Sequence, residues 1–293
     1  MKELIELVNK KLDEYMPIEY PESIFKAMKY TVTLKGKRLR PVMCLETVSM
    51  LGGDINKALP AACALEMLHA QSLIHDDLPC MDNDDFRRGQ PSNHKVFGEA
   101  NAVLAGDALL SFAPQLIIEK SSDLTDIQKL KLVHEFVKFA GAFALIAGQV
   151  ADIESEKTKD WNNMQKSPEE TLDYIHLNKT ASLFRLSVRM GAIIANANES
   201  VLNELDEFAK KFGILFQIYD DIMDEISTFE EMGKTLGKDV KSGKLTYTTL
   251  YGLDEAKKKF SVLFDECYGT IEKYHSEIFK EIANKLKNRI LGE

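Results

Sequence analysis

The stretch His75–Gly89, HDDLPCMDNDDFRRG, contains five aspartates and ends in two adjacent arginines followed by a glycine. Carboxylates this close together repel one another, by about 4 kcal/mol per close pair at an effective dielectric of about 20. A cation is therefore expected among them. Oxygen ligands, without a Cys and His set at zinc spacing, favour a hard divalent ion, and Mg²⁺ commonly bridges carboxylates to phosphates. The stretch predicts a magnesium site for a phosphorylated ligand.

A proline sets the local geometry of this stretch. Asp76 and Asp82 are six residues apart, so on one straight helix they would point roughly 240° apart. Pro79 disfavours helical geometry at Leu78 and removes a backbone donor, so the helix that carries Asp76 is expected to stop there. Asp76, Asp77 and Asp82 are then predicted to converge from a helix end and the turn after it.

A second acidic cluster lies far down the chain, in the sequence FGILFQIYDDIMDEI at residues 212–226. It follows a helical apolar pattern, and four-residue spacing places Asp220 and Asp224 on one face, with Asp221 next to Asp220. A single motif of this kind is often only a solvated helix face. Two copies, each preceded by an apolar helix and followed by basic residues, indicate two acidic faces that bind one diphosphate through several Mg²⁺ ions.

Helical periodicity runs through nearly the whole chain, and no alternating β-branched runs appear. Ser167 and Glu170 are spaced as a capping box that opens one long helix. Pro114 is expected to kink or end the small-residue-rich helix that begins near Gly98. The pattern predicts an all-α protein without internal repeats.

The two aspartate-rich motifs, with GKRLRP at 36–41 before the first and RRG at 87–89 directly after it, resemble those of the trans-isoprenyl diphosphate synthases. This family includes the farnesyl and geranylgeranyl diphosphate synthases. The resemblance runs from about Ala27 to about Gly252. It implies the isoprenoid synthase fold, a single-domain bundle of about ten or more helices around a central cavity, here spanning residues 1–293.

The resemblance also implies a role for each motif residue of this chain. The implied Mg²⁺ ligands are Asp76, Asp77, Asp82, Asp220, Asp221 and Asp224. Isopentenyl diphosphate is expected to bind Lys37, Arg40, His69 and Arg88, and the allylic diphosphate is expected to bind Arg87, Lys179, Lys234 and Lys244. Thr180 and Gln217 are expected near the developing allylic cation. The predicted catalytic set is Asp76, Asp77, Asp82, Lys179, Thr180, Gln217 and Asp220.

Local chemistry supports several of these roles without the resemblance. Lys37 and Arg40 lie next to Pro41 at a predicted helix N-terminus, which favours anion binding, although an exposed basic loop is the alternative. Successive residues of an extended loop point in opposite directions, so Arg87 and Arg88 can each serve a different diphosphate.

The implied reaction is head-to-tail condensation of isopentenyl diphosphate with dimethylallyl, geranyl or farnesyl diphosphate. The family uses three Mg²⁺ ions per active site, with Mn²⁺ as a tolerated substitute, and the released diphosphate takes the proton.

Two other functions stay open. A terpene cyclase shares the fold and one acidic motif but needs no second diphosphate site. A catalytically silent or regulatory subunit would have lost the aspartates that this chain keeps.

Product length depends on the residues just before Asp76, Gln71 and Ser72. Many bacterial farnesyl synthases carry Tyr five places before the first Asp, and plant-type geranylgeranyl synthases carry Met, which Gln resembles more in size and shape. Burying five more carbons contributes about 4 kcal/mol, at about 0.8 kcal/mol per methylene, where space exists. Gln71 favours the longer product slightly, and both product lengths stay open.

Composition favours one soluble globular chain, with 45% hydrophobic and 28% charged residues. The net charge of −9 argues against nucleic acid, which requires a basic face.

No apolar run suggests a membrane span, and residues 1–15 form an amphipathic helix rather than a signal sequence. Four cysteines without metal spacing indicate reduced thiols and a cytoplasmic protein. The resemblance implies a homodimer.

Overall fold

Helices make up almost all of the regular structure in the computed structural model, which describes residues 1–158, 165–226 and 244–291. Within those residues the one sheet is a pair of two-residue antiparallel strands, in which Arg87 pairs with Gln90. The all-α prediction is therefore confirmed.

The chain divides into two compact units. The first contains Met1–Val137 and Met190–Ala197, and the second contains Lys138–Arg189 and Asn198–Glu293. Each unit has its own packed helices. The single domain predicted over residues 1–293 stays a prediction.

The first unit is built around the helix that ends in the first acidic stretch. Its elements are α1 (Lys2–Tyr15), α2 (Glu22–Thr33), α3 (Leu39–Met50), a 3-10 turn (Ile55–Ala58), α4 (Leu59–Asp76), strands β1 (Phe86–Arg87) and β2 (Gln90–Pro91), α5 (Asn93–Phe97), α6 (Glu99–Lys120) and most of α7 (Asp126–Ala140). The helix α4 packs against α1, α2, α3 and α6. It is rich in Ala and Leu, and Pro60 lies in its first turn, where no backbone donor is needed.

The second unit is built around the helix that carries the second acidic cluster. Its elements are α8 (Leu145–Lys157), α9 (Pro168–Ile175), a π-helical turn (His176–Ala181), most of α10 (Ser182–Ile194), α11 (Glu199–Ile226), α12 (Tyr247–Tyr251), α13 (Leu253–Lys273) and α14 (Glu277–Leu291). The predicted capping box is confirmed at the start of α9, where Ser167 Oγ accepts from the Glu170 amide and Glu170 Oε2 accepts from the Ser167 amide.

Two local features bring α11 and the π-helical turn close together. The ring of Phe184 lies 5.5 Å from that of Phe212 and 5.1 Å from that of Phe216, which fills the core beside α11 with aromatic contacts. At Gly213 a Cβ atom would lie 2.4 Å from the Cα atom of Ala181, so only glycine permits this approach. The residues next to Ala181 are thereby held against α11.

Pro114 does not end its helix, because α6 continues from Glu99 to Lys120. Proline removes one backbone donor and crowds the preceding turn. Buried side chains on both sides of it, Leu109, Ala113 and Leu116, supply packing that offsets this local cost. Of the two alternatives predicted for Pro114, a kink or a helix end, the helix end is therefore wrong, and the kink stays a prediction.

Two helical stretches, Glu99–Lys120 and Asp126–Lys157, reach the length and mean hydropathy of a membrane span, which the sequence analysis did not anticipate. Each has 39% of its apolar window buried inside the protein. The second stretch is also interrupted between Ala140 and Leu145, where α7 ends and α8 begins. Core helices of non-membrane proteins pass the same test, so the prediction of no integral membrane segment stays a prediction.

Candidate active site

The first acidic stretch folds back on the end of α4. Asp76 is the last residue of the helix, and the backbone amide of Asp82 donates to the carbonyl oxygen of Asp76 at 2.9 Å. The amide of Asn83, which has a positive φ of 50°, donates to the Leu78 carbonyl at 3.1 Å. The helix stops where Pro79 predicts, and the turn returns Asp82 to Asp76 as expected.

Asp77 is bound by an arginine from the turn that follows. Its side chain is buried, and Arg87 Nε donates to its two oxygens at 2.9 and 3.2 Å, while Arg87 Nη2 also donates to Oδ1. Asp84 lies 3.5 Å from the same guanidinium. Burial raises the pKa of Asp77, and the Arg87 guanidinium offsets only part of that shift. Asp77 is thus paired with Arg87, and its role as a metal ligand stays a prediction.

Arg88 points to a different carboxylate. Its Nη2 donates to Glu66 Oε1 at 3.1 Å, and its Nη1 donates to the Leu34 carbonyl at 3.4 Å. The two adjacent arginines therefore have separate partners, Asp77 for Arg87 and Glu66 for Arg88. This agrees with the prediction that they point in opposite directions.

The GKRLRP segment contributes both buried and exposed cations. Arg38 is the N-cap residue of α3, with a positive φ of 49°, and its guanidinium is buried against Glu66 at 2.5 Å. Lys37 on one side is exposed, and Arg40 on the other side is half-buried. Lys37 and Arg40 lie in the same unit as Arg88, and their roles in binding isopentenyl diphosphate stay predictions.

His69 lies on α4, and its Nδ1 atom is buried without a hydrogen-bond partner among the described residues. Burial, reinforced by the positive charges of Arg40 and Arg88, lowers the pKa of His69 well below its ordinary value. The imidazole is therefore neutral near pH 7, and it can offer a polar contact beside cationic side chains without adding to their repulsion.

The depressed pKa of His69 makes stability depend on pH. Because an unfolded His titrates near pH ~6.5, the unfolded chain gains a proton below about pH 6.5 that the folded chain does not, which favours unfolding. We expect the difference in Tm between the native protein and His69→Gln to shrink as the pH falls below about 6.5, and to stay constant above about pH 7.5. Thermal unfolding of both proteins between about pH 5 and 8 measures this. A constant difference would contradict the neutral imidazole.

The predicted chain-length residues lie on α4 one turn before the acidic stretch. Gln71 Nε2 and His75 Nδ1 are 3.1 Å apart, and Ser72 Oγ donates to the carbonyl of His69 at 2.9 Å. The ring of His75 occupies the space of the missing Cβ atom of Gly106 on α6, and its Nε2 lies 3.1 Å from the Val103 carbonyl. The Gln71 side chain is therefore fixed by His75. The role of both residues in chain length stays a prediction.

In the second unit, two predicted diphosphate ligands meet on one carboxylate. Asp152 is buried, and its Oδ2 accepts from Lys179 Nζ at 2.5 Å and lies 3.2 Å from Lys244 Nζ. Lys244 also lies 3.4 Å from Glu156. Although burial acts to raise it, the two lysines hold the pKa of Asp152 below its ordinary value. Lys179 and Lys244 are thus brought together.

A glycine makes this arrangement possible. At Gly148, on α8, a Cβ atom would lie 2.3 Å from the backbone nitrogen of Lys179, so α8 touches the backbone of the π-helical turn there. Asp152 follows Gly148 by one helical turn on the same side of α8. The side chain of Asp152 therefore reaches the ammonium group of Lys179.

A chain of hydrogen bonds joins three further predicted site residues. Thr180 Oγ1 donates to Gln217 Oε1 at 2.6 Å, and Gln217 Nε2 donates to Asp221 Oδ1 at 2.8 Å. Asp221 Oδ2 accepts from the Tyr247 amide at 2.8 Å and lies 3.6 Å from His176 Nε2. The orientation of the Gln217 amide is fixed by these two partners.

The three aspartates of the second cluster occupy different environments. Asp221 is buried, and protein donors contact both of its oxygens, whereas Asp220 and Asp224 are half-exposed and one helical turn apart. Asp220 and Asp224 share a helix face, as predicted. Asp221 lies off that face, which favours a role in holding Gln217, and its assignment as a metal ligand stays a prediction.

The acidic residues fit magnesium by their chemistry. Among the residues that the structure describes, no group of three or more His, Cys, Asp or Glu side chains is already gathered to hold a metal ion. Mg²⁺ usually retains several waters and binds through one or two carboxylates together with substrate phosphates, so a preformed protein cage is not required. Asp76 with Asp82, and Asp220 with Asp224, are the carboxylate pairs to which the sequence assigns this binding, and the assignment stays a prediction.

One predicted site residue, Lys234, lies outside the described residues. Conversely, the structure identifies residues that the sequence analysis did not assign, namely Glu66, Arg38 and His176. The signal for Glu66 was a single acidic residue within the apolar helix sequence ALEMLHA, where an ionised side chain requires partners.

Comparison with known proteins places the chain among related sequences. A family model described as Polyprenyl synthetase matches residues 21–286. Large subunit 1 of a chloroplastic heterodimeric geranylgeranyl pyrophosphate synthase from Arabidopsis thaliana is 49% identical over 255 residues, which cover 86% of this chain and 68% of that protein. A chloroplastic geranylgeranyl pyrophosphate synthase from Capsicum annuum is 46% identical over 269 residues, which cover 92% of this chain and 71% of that protein.

A solved structure is similar over the whole chain. The geranyltransferase of Helicobacter pylori, crystallised as a complex with magnesium and isoprenyl diphosphate, matches with a TM-score of 0.84 at 29% identity. The match covers 100% of this chain and 96% of that one.

Proposed function

This chain belongs to the polyprenyl synthetase family and has the isoprenoid synthase fold, and we propose that it makes geranylgeranyl diphosphate from isopentenyl diphosphate and shorter allylic diphosphates. It is a short-chain prenyltransferase, in agreement with the names of its relatives. The specific product and the residue roles below form the proposal.

The separate placement of Arg87 and Arg88 carries the proposal. One guanidinium is held by Asp77 and the other by Glu66, so the chain offers two arginines in two directions from adjacent positions. Arginine binds phosphate oxygens through a bidentate fork. Two such groups suit a reaction that joins two diphosphate substrates. A terpene cyclase, which acts on one diphosphate, would have no use for the second.

The proposed chemistry breaks the carbon–oxygen bond between the allylic group and its diphosphate. The double bond of isopentenyl diphosphate attacks the allylic carbon, a carbon–carbon bond forms, and the released diphosphate takes the proton that is lost. Lys179, Lys244 and Arg87 hold the allylic diphosphate and stabilise the negative charge that develops on it. Lys37, Arg40, His69 and Arg88 hold isopentenyl diphosphate.

Thr180 and Gln217 are proposed to lie near the positive charge that develops on the allylic carbon. Their mutual hydrogen bond, and the bond from Gln217 to Asp221, support this role because they fix the oxygen atoms of both side chains. A preorganised dipole stabilises a developing charge without the cost of reorienting during the reaction.

Magnesium is the proposed cofactor, with three ions per site and Mn²⁺ as a substitute. Asp76, Asp77, Asp82, Asp220, Asp221 and Asp224 are the proposed ligands. The backbone hydrogen bond between Asp82 and Asp76, and the shared helix face of Asp220 and Asp224, support the first and last of each motif. Bound Mg²⁺ neutralises negative charge on the departing diphosphate. The complex of the Helicobacter pylori geranyltransferase with magnesium supports the choice of metal.

The longer product is supported by two observations. The relatives from Arabidopsis thaliana and Capsicum annuum are geranylgeranyl pyrophosphate synthases. Gln71 is smaller than the tyrosine that closes the pocket of many farnesyl synthases, and its side chain is held by His75. An open pocket at this position would admit a further isoprene unit.

Incubation of the purified protein with Mg²⁺, labelled isopentenyl diphosphate and one allylic diphosphate at a time tests the proposal. We expect dimethylallyl, geranyl and farnesyl diphosphates all to be extended, with geranylgeranyl diphosphate as the end product when products are resolved by chain length. Products that stop at farnesyl diphosphate would overturn the product assignment. No elongation of any allylic diphosphate would overturn the function and favour a regulatory subunit.

A homodimer is the proposed assembly. Apolar side chains remain exposed along α6, at Val103, Leu104 and Ile118, and along α7, at Ile127 and Leu130. Exposed apolar surface of this kind is typical of protein interfaces. Light scattering in solution should give a mass twice that of one chain, and a mass of one chain would refute the proposal.

The cytoplasm is the proposed location. All four cysteines are free, and Cys44, Cys63 and Cys267 are buried, which suits a reducing compartment. Burial raises the pKa of Cys44 and Cys267 to about 12, so both thiols stay protonated and unreactive. Cell fractionation followed by detection with an antibody should find the protein in the cytoplasmic fraction. Finding it in a membrane or organelle fraction would contradict the proposal.

A further inference from the structure

Glu66 has no assigned role, yet two arginines of the first unit meet on it. It lies on α4 three residues before His69, and its side chain is 1% exposed. Arg38 Nη1 donates to Glu66 Oε1 at 2.5 Å, and Arg88 Nη2 donates to the same oxygen at 3.1 Å. One buried carboxylate thus joins a structural arginine to an arginine of the proposed isopentenyl diphosphate site.

Two backbone features complete the enclosure of the Arg88 guanidinium. The carbonyl of Leu34 accepts from Arg38 Nη2 at 2.7 Å and from Arg88 Nη1 at 3.4 Å. At Gly36 a Cβ atom would lie 2.9 Å from Arg88 Cζ and Nη1, so the guanidinium packs directly against the glycine backbone. The guanidinium is therefore restricted by Glu66, Leu34 and Gly36 together.

The charge balance explains why the carboxylate is needed. Arg38 and Arg88 would repel each other in a buried setting, and a buried charge without a partner is costly. Glu66 contacts both guanidinium groups and so reduces their repulsion, and the three groups together keep a net positive charge. A guanidinium has five N–H donors, and the two hydrogen bonds from Arg88 leave donors for a diphosphate oxygen.

We propose that Glu66 is a positioning residue for isopentenyl diphosphate, which it serves by holding the Arg88 guanidinium in place together with Arg38. Glu66 does not touch the substrate itself. The inference rests on the proposed function, because it assumes that Arg88 binds this diphosphate.

Glu66→Gln is the test, because it removes the charge and keeps the shape of the side chain. The Kd of isopentenyl diphosphate, measured by titration calorimetry without allylic substrate, is expected to rise about tenfold, since charge-assisted hydrogen bonds are roughly twice as strong as neutral ones. In steady-state assays the KM for isopentenyl diphosphate should rise by the same factor. The KM for the allylic diphosphate should stay unchanged.

Asp206→Asn is the matched control. Asp206 also bridges two arginines, accepting from Arg185 at 2.8 Å and from Arg189 at 3.2 Å, but neither arginine has a proposed role in the reaction. Both variants are expected to lower Tm, and only Glu66→Gln should weaken binding of isopentenyl diphosphate. Equal weakening in both variants would show that the effect is only a general loss of stability.

Gly36→Ala is a second test that leaves Glu66 intact, should Glu66→Gln not fold. Its methyl group would displace the Arg88 guanidinium from Glu66 and Leu34, and thermal unfolding of the variant would show whether the protein still folds. The same selective loss of isopentenyl diphosphate binding is expected. Unchanged binding in either folded variant would overturn the inference, whereas a native protein that binds isopentenyl diphosphate but never condenses it would overturn the proposed function.

Discussion

Asp76→Ala is expected to lower kcat/KM for condensation by roughly a thousandfold, which is typical of removing one group that stabilises charge in a transition state. Asp76 ends α4, and its carbonyl accepts the amide of Asp82, so the two residues form one proposed metal-binding pair. The substitution removes one of the three proposed metal ligands of this motif and leaves Asp77 and Asp82. Initial rates at substrate concentrations from well below to well above KM, measured over a wide range of Mg²⁺ concentration, would give kcat/KM and reveal the loss.

Asp85→Ala is the matched control within the same acidic stretch. Asp85 is exposed, and its Oδ1 lies 2.7 Å from Lys95 Nζ in a surface ion pair, which contributes little to stability. The condensation rate of Asp85→Ala should stay within about twofold of that of the native protein. If Asp85→Ala loses as much activity as Asp76→Ala, the total charge of the stretch matters rather than the pair at the helix end.

Gln71→Tyr is expected to change the end product from geranylgeranyl to farnesyl diphosphate. The larger ring would fill the space that a further isoprene unit needs, and five buried carbons contribute about 4 kcal/mol to elongation where space exists. The fraction of geranylgeranyl product should fall at least about tenfold, while dimethylallyl and geranyl diphosphates are still extended. Chromatography of labelled products by chain length measures the change.

Gln71→Met separates the size of the side chain from its hydrogen bond. Met keeps a similar length but cannot donate a hydrogen bond to His75 Nδ1, which lies 3.1 Å from Gln71 Nε2. If size decides the product, Gln71→Met should still make geranylgeranyl diphosphate. A switch to farnesyl diphosphate in this variant would show that the contact with His75 keeps the pocket open, contrary to the size argument.

Local rules predicted much of this structure because they depend on neighbouring residues. Pro79 correctly predicted the end of α4 and the return of Asp82 to Asp76, and Ser167 with Glu170 correctly predicted the start of α9. Pro114 failed as a helix terminator because packing on both sides of it outweighs the lost hydrogen bond. That packing comes from residues distant in sequence.

The sequence did not predict which charged side chains pair with each other, because the pairing depends on which helices and turns pack together. Lys179 was expected to need an anionic partner, and the partner in the structure is Asp152, which Gly148 brings within reach. Glu66 was overlooked because its two arginines, Arg38 and Arg88, follow from the packing of α4 against other segments. The helical period predicts which residues share one face of a helix. It does not predict which other segment packs against that face.

If Lys179 and Lys244 bind the allylic diphosphate as proposed, their contact with Asp152 has a consequence for turnover. A carboxylate that already binds both ammonium groups competes with an incoming diphosphate, so it lowers affinity for the substrate and for the inorganic product alike. Once the product begins to leave, the lysines can return to Asp152 rather than stay unpaired, which lowers the barrier to departure. In this role Asp152 is an internal counter-ion, which weakens diphosphate binding and speeds the release of the product in each cycle.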